Sequence, residues 1–127
     1  MNPRVVCFAP DELKILRQIT GEANQFGAAR LEPYGCTEGD VRKLVTALRL
    51  KPVPPTGVCF AFVEPGEPVG DGQRPLAPAV LRWWKPVAEM VIKGNSPKEL
   101  YYRTGLDFEE IRAAVDRIPT APGGSHD

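Results

Sequence analysis

No helix can run through residues 51–55. Lys51 to Pro55 reads KPVPP, and three prolines in five residues remove backbone donors, fix φ and favour extended geometry. A second break follows soon after. Glu64 to Pro78 (EPGEPVGDGQRPLAP) is rich in proline and glycine and poor in large apolar groups, the composition of an exposed loop or linker. The 127 residues therefore divide into a first unit over 1–63, a linker over 64–78, a second unit over 79–118 and a disordered tail over 119–127. Units this small must share a core to bury enough apolar surface.

Lys plus Arg and Asp plus Glu number 16 each, so no overall field draws the chain to nucleic acid or to an anionic membrane. Any polyanion site must be local. No leader-like pattern stands near Met1, and no apolar run approaches the roughly 18 residues that a bilayer span needs. These features predict a cytoplasmic protein with no membrane partner. Cys7, Cys36 and Cys59 make an odd count with no CxxC pair, which argues against a disulfide framework and a zinc cluster. They are expected to stay reduced.

Arg4 to Ala9 (RVVCFA) and Thr56 to Val63 (TGVCFAFV) are β-branched and aromatic and share Val-Cys-Phe-Ala, so both suit strands. Two isolated strands are marginal alone, which predicts a two-stranded antiparallel ribbon on the helical core with Cys7 near Cys59. Asp11 is the expected N-cap of a helix bearing Leu13, Ile15, Leu16 and Ile19. Gly27 to Tyr34 allows a short second helix, limited by Pro33. Thr37 caps a third, in which Val41, Leu44, Val45 and Leu48 follow i, i+3, i+4, i+7.

After the linker, Leu76 to Gly94 is helical in pattern but interrupted by Pro86, giving two short helices or one kinked one, with Gly94 as C-cap. Ser96-Pro97-Lys98-Glu99 is a complete capping box with proline at N1. Asp107 then caps a last helix whose inward stripe is Phe108, Ile111, Val115 and Ile118, stopped by Pro119.

The stretch from Val87 to Ile118 (VAEMVIKGNSPKELYYRTGLDFEEIRAAVDRI) resembles a helix-turn-helix domain of the kind found in LuxR-type regulators and in the last region of sigma factors. Its marks are a helix ending at Gly94, the KELYYRT helix, the Gly105-Leu106 turn and a capped helix with Ile111 and Val115 inward. Glycine permits the positive φ of the turn, and the apolar residue after it plugs the angle between helices. An offset of 70 lays GCTEGDVRKLV at Gly35 on GLDFEEIRAAV at Gly105, which suggests an internal duplication. Four residues before the turn glycine, where the family usually has alanine, stand Leu31 and Tyr101, whose bulk would spread the helices. The resemblance implies a mainly α fold of two trihelical helix-turn-helix-like units with the two-stranded ribbon.

In that family the third helix enters the major groove with its first turns. The first copy carries Arg42, Lys43, Arg49 and Lys51 against Glu38 and Asp40, a balance of +2; the second carries Arg112 and Arg117 against Asp107, Glu109, Glu110 and Asp116, a balance of −2. Only the first suits phosphates. Its candidate DNA-binding residues are Thr37, Glu38, Gly39, Arg42, Lys43, Thr46 and Arg49, although a solvated helix face would carry the same charges. Candidate partner-binding residues are Trp83, Trp84, Tyr102, Glu109 and Arg112. Adjacent helical residues point about 100° apart, so one Trp and one of Tyr101 and Tyr102 should face inward.

Cys36, aligned with Leu106, suits a buried plug better than a reactive thiol. The single histidine, His126, lies near the end of the chain, and neither a phosphate-cradling glycine motif nor an activated nucleophile is evident. No enzyme, metal or cofactor is expected. The expected function is transcriptional regulation on double-stranded DNA; the alternative is a protein-only adaptor docking onto RNA polymerase or another regulator. A homodimer is compatible with either.

Overall fold

The computed structural model describes residues 4–121. It is mainly helical: strand β1 (Arg4–Phe8), helix α1 (Pro10–Glu22), the short helix α2 (Ala28–Leu31), α3 (Glu38–Leu48), β2 (Val58–Phe62), β3 (Gln73–Leu76), α4 (Val80–Lys93), α5 (Pro97–Thr104) and α6 (Phe108–Asp116). Single 3-10 turns at Ala23–Phe26 and Glu32–Tyr34 flank α2. His126 and most of the expected tail fall outside the described residues. The first residues of that tail are docked, since the Ala121 amide donates to the Leu81 carbonyl at 3.1 Å.

The expected β1–β2 ribbon is present and antiparallel, with Cys7 directly opposite Cys59. A third strand was not anticipated. β3 lies parallel to β2, from Cys59 against Gln73 to Phe62 against Leu76, so the end of the segment taken for a linker belongs to the sheet. Only its first part, from Glu64, is an exposed connection. Pro75 is tolerated because β3 is an edge strand, where a missing donor breaks no ladder.

α1 occupies the centre of the molecule and packs on α3, α4 and α6. Its N-cap is Ala9, with Pro10 at N1, in place of the expected Asp11. The Glu12 carboxylate accepts from the Ala9 amide at 2.8 Å, supplying half of a capping box. Leu13, Leu16 and Ile19 are buried as the spacing predicts. One continuous core runs from Phe8 to Ile118 and draws on both halves of the chain. Both expected units contribute to it, as their small size requires.

α4 is a single continuous helix despite Pro86. The proline removes the donor to the Arg82 carbonyl, and Arg82 is exposed, so water can take its place. Both tryptophans are buried, against the expectation that one would reach solvent. The reason is tertiary: α4 is covered on several sides, and nine of its residues are buried. Trp84 donates through Nε1 to the Thr20 hydroxyl at 3.0 Å and meets Phe8 edge-on at 5.9 Å. Trp83 lines a groove shared with α3 and β3. Gly94 ends α4 with φ −83°, so its role is space and not a left-handed turn: a Cβ there would lie 2.5 Å from the Phe26 ring.

A candidate polyanion interface on α1 and α3

Gly35 and Gly105 both adopt left-handed conformations, φ 80° and 75°, which side-chain-bearing residues rarely do. Each is followed by a covered apolar group, Cys36 fully and Leu106 half-buried, and then by a capped helix. Burial, with the Asp40 carboxylate adding to it, pushes the Cys36 thiol up to about 11, so the thiol is an inert plug at neutral pH. The two copies diverge before the glycine. The Gly35 amide bonds to the Glu32 carbonyl, three residues back, whereas the Gly105 amide bonds to Tyr101, four back. A 3-10 turn uses fewer residues than an α turn, so the inward residue is Leu31 in the first copy and Leu100 in the second. Tyr101 and Tyr102 are consequently both exposed, at 54% and 77%, and neither faces inward as expected.

On α3, Val41, Leu44 and Leu48 are buried and Val45 is half-buried. Arg42, Lys43, Thr46 and Arg49 are exposed. The i, i+4 spacing sets Arg42 and Thr46 in one row, and Arg49, the extended C-cap just past Leu48, follows it. Lys43 is turned to the other side, where it lines with Asp40 a groove of about 370 Å3 against β3 and α4. The DNA-binding set is therefore one row plus an outlier. At the helix start, Thr37 Oγ1 accepts from the Asp40 amide at 3.1 Å while the Asp40 carboxylate accepts from the Thr37 amide at 2.9 Å. That reciprocal cap already uses donors at the start of the helix and sets a negative charge beside Thr37, Glu38 and Gly39. The helix start is accordingly a weaker phosphate site than its sequence suggests.

Three arginines of the second half, Arg103, Arg112 and Arg117, are bound internally, whereas Arg74 and Arg82 are exposed with no carboxylate partner among the described residues. Arg112 makes a double contact to Glu89 on α4 and reaches Asp116 at 2.8 Å. The hydrogen bonds to Glu89 and then Asp116 raise the arginine further above its already high pKa, and the same contact holds the Glu89 carboxyl below its ordinary range. Arg103 pairs with Glu22 at 3.2 Å and Arg117 with Glu12 at 2.6 Å. Burial of Glu12 opposes its ionisation, but the Ala9 amide and Arg117 outweigh this and lower its pKa. Arg112 is thus a structural residue and not a free partner contact. Of the proposed partner surface, Tyr102 and Glu109 remain exposed, while Trp83 and Trp84 do not.

The cations of α1 and α3 are the reverse case. Lys14, Arg17, Arg42, Lys43, Arg49 and Lys51 have no carboxylate partner among the described residues. Lys14 and Arg17 were not among the candidate residues. Their signal was a basic i, i+3 pair on α1, whose meaning depends on α3 lying alongside. Val45 marks that packing, since a Cβ on Gly21 would meet its Cγ2 at 3.8 Å.

The expectation that Cys7 and Cys59 stay reduced is not met: the two are joined by a disulfide. Direct opposition in an antiparallel pair brings the side chains within bonding reach, whatever the cysteine count. Such bonds persist most readily in oxidising surroundings. Among the described residues no helix is long and apolar enough to cross a membrane, and no group of three or more His, Cys, Asp or Glu side chains is placed to hold a metal ion. Comparison with protein-family models, with curated proteins and with solved structures returns no match.

Proposed function

We propose that the chain binds double-stranded DNA through the basic row of α3 and serves in transcriptional control. The observation that carries this is the contrast in charge pairing. Arg42 and Arg49 stand exposed with no carboxylate partner among the described residues and close to further unpaired cations at Lys43 and Lys51, whereas Arg103, Arg112 and Arg117 are neutralised within the fold and the equally unpaired Arg74 and Arg82 lie on separate elements, β3 and α4. Unpaired arginine presented from α3 and its C-cap suits phosphate contact, which releases counterions from the duplex. The left-handed Gly35 and Gly105, each followed by a covered apolar residue and a capped helix, support a helix-turn-helix-like arrangement in both halves.

Titration of the chain with random duplex DNA at several salt concentrations tests this. Affinity should fall as salt rises, and Arg42→Glu with Arg49→Glu should abolish binding and flatten the dependence. Glu109→Ala with Glu110→Ala should leave binding unchanged or slightly tighter. No salt-dependent binding in the folded wild type sinks the proposal. The exposure of Tyr101 and Tyr102 beside the acidic start of α6 favours a second reading in that event, a protein-docking adaptor in which aromatic side chains anchor the partner.

A further inference from the structure

Between the start of α1 and the end of α3 lies a pocket of about 210 Å3. Its rim carries Lys14 and Arg17 from α1 and Arg49 and Lys51 from the end of α3, over a floor that includes the buried Leu13 and Leu48. No carboxylate among the described residues lines it. None of the four cations has a carboxylate partner among the described residues. Like charges gathered round so small a volume repel one another, and the fold supplies little to offset them. The open carbonyls at the end of α3 amount to only about half a negative charge. Elsewhere three arginines, Arg103, Arg112 and Arg117, are met by carboxylates at Glu22, Glu89 and Glu12.

We propose that this pocket is a phosphate site, filled by a backbone phosphate of bound nucleic acid. At roughly 30 Å3 per molecule in liquid water, the pocket has room for a phosphate group with adjoining sugar atoms. The apolar floor sheds water around the anion, and charge contacts strengthen where water is excluded. Arg49 also follows the Arg42–Thr46 row, so the pocket extends the basic surface of α3 across the α1–α3 seam. A phosphate held there reads no base; it fixes the register of the protein on the duplex. The proposal rests on the polyanion binding proposed above. A free polyphosphate offers the same chemistry and serves as an independent probe.

Two measurements on the full chain test the site. In the first, tripolyphosphate is titrated into isotope-labelled protein and amide shifts are followed by NMR; the shifts should concentrate at Lys14, Arg17 and 49–51. In the second, Lys14→Gln with Arg17→Gln is compared with wild type on random duplex. The variant should bind on the order of tenfold more weakly at low salt, with a salt dependence shallower by about one to two released ions. Both positions are solvent-accessible, and an unchanged thermal melt shows that the fold is kept. Tripolyphosphate shifts scattered over all exposed lysines, or a variant that binds duplex like wild type while Arg42→Glu, outside the pocket, does not, overturn the pocket and leave DNA binding standing. Localised tripolyphosphate shifts in a protein that binds no duplex support the pocket as a free-polyphosphate site and overturn DNA binding.

Discussion

The hydrogen bond from Trp84 Nε1 to Thr20 Oγ1, 3.0 Å long, joins residues 64 positions apart, and both side chains are fully buried. Replacing Thr20 with Val substitutes a methyl for the hydroxyl at nearly equal shape and strands the indole N–H without water. An orphaned buried donor costs about 1–3 kcal/mol, and the added methyl returns at most about 0.8 kcal/mol. Thr20→Val should therefore lose about 1–2 kcal/mol. Thr20→Ser keeps the acceptor and should lose about 1 kcal/mol or less through its missing methyl. Trp84→Phe removes the donor and leaves a cavity against Phe8, at about 2 kcal/mol or more. In the double variant the stranded donor no longer exists, so the two losses should fall short of additivity by about 1–2 kcal/mol. Urea unfolding followed by far-ultraviolet circular dichroism measures all four proteins, through midpoint shifts at constant slope. A coupling below about 0.3 kcal/mol, or Thr20→Val no worse than Thr20→Ser, would refute the claim that this bond ties the two halves of the chain into one core.

Three further outcomes are expected. Leu48→Ala and Ile111→Ala, at the inward faces of α3 and α6, should each cost about 2–5 kcal/mol; chemical denaturation showing less than about 1 kcal/mol for both contradicts the assigned faces. Arg112 holds the folded-state pKa of Glu89 below its ordinary 4.5, so this pair's contribution is full above that value and is lost as pH falls through the depressed one. Glu89→Gln should then lose less stability than wild type between pH 6 and pH 3, and an identical loss removes Glu89 from the acid sensitivity. Thiol titration of denatured, unreduced protein should find one free thiol, Cys36, and three after reduction; in the native protein at pH 8 the buried Cys36 should react slowly, and three thiols before reduction would contradict the disulfide.

Local grammar was legible in the sequence. The caps at Thr37 and Ser96, the left-handed glycines at 35 and 105, and the i, i+3, i+4 stripes of α3 and α6 depend on residues within a turn or two of one another. Short-range hydrogen bonding and steric exclusion determine them before any tertiary contact forms. The strand pairing of Cys7 with Cys59 was likewise legible, since the two segments share a pattern and neither is stable alone. Other features were decided only where distant segments meet. β3 is a strand because the edge of β2 stands beside it, not because QRPL has strand character. Both tryptophans are buried because α4 is enclosed on more than one side, which no periodicity within α4 records. Arg112 is bound and Arg42 is free because Glu89 on another helix reaches the first and no carboxylate among the described residues reaches the second. The basic pocket exists because α1 lies along α3. Charge identity is a property of the sequence, but whether a charge is neutralised or left available depends on distances of a few ångströms between elements far apart in the chain, and only the tertiary structure sets those distances.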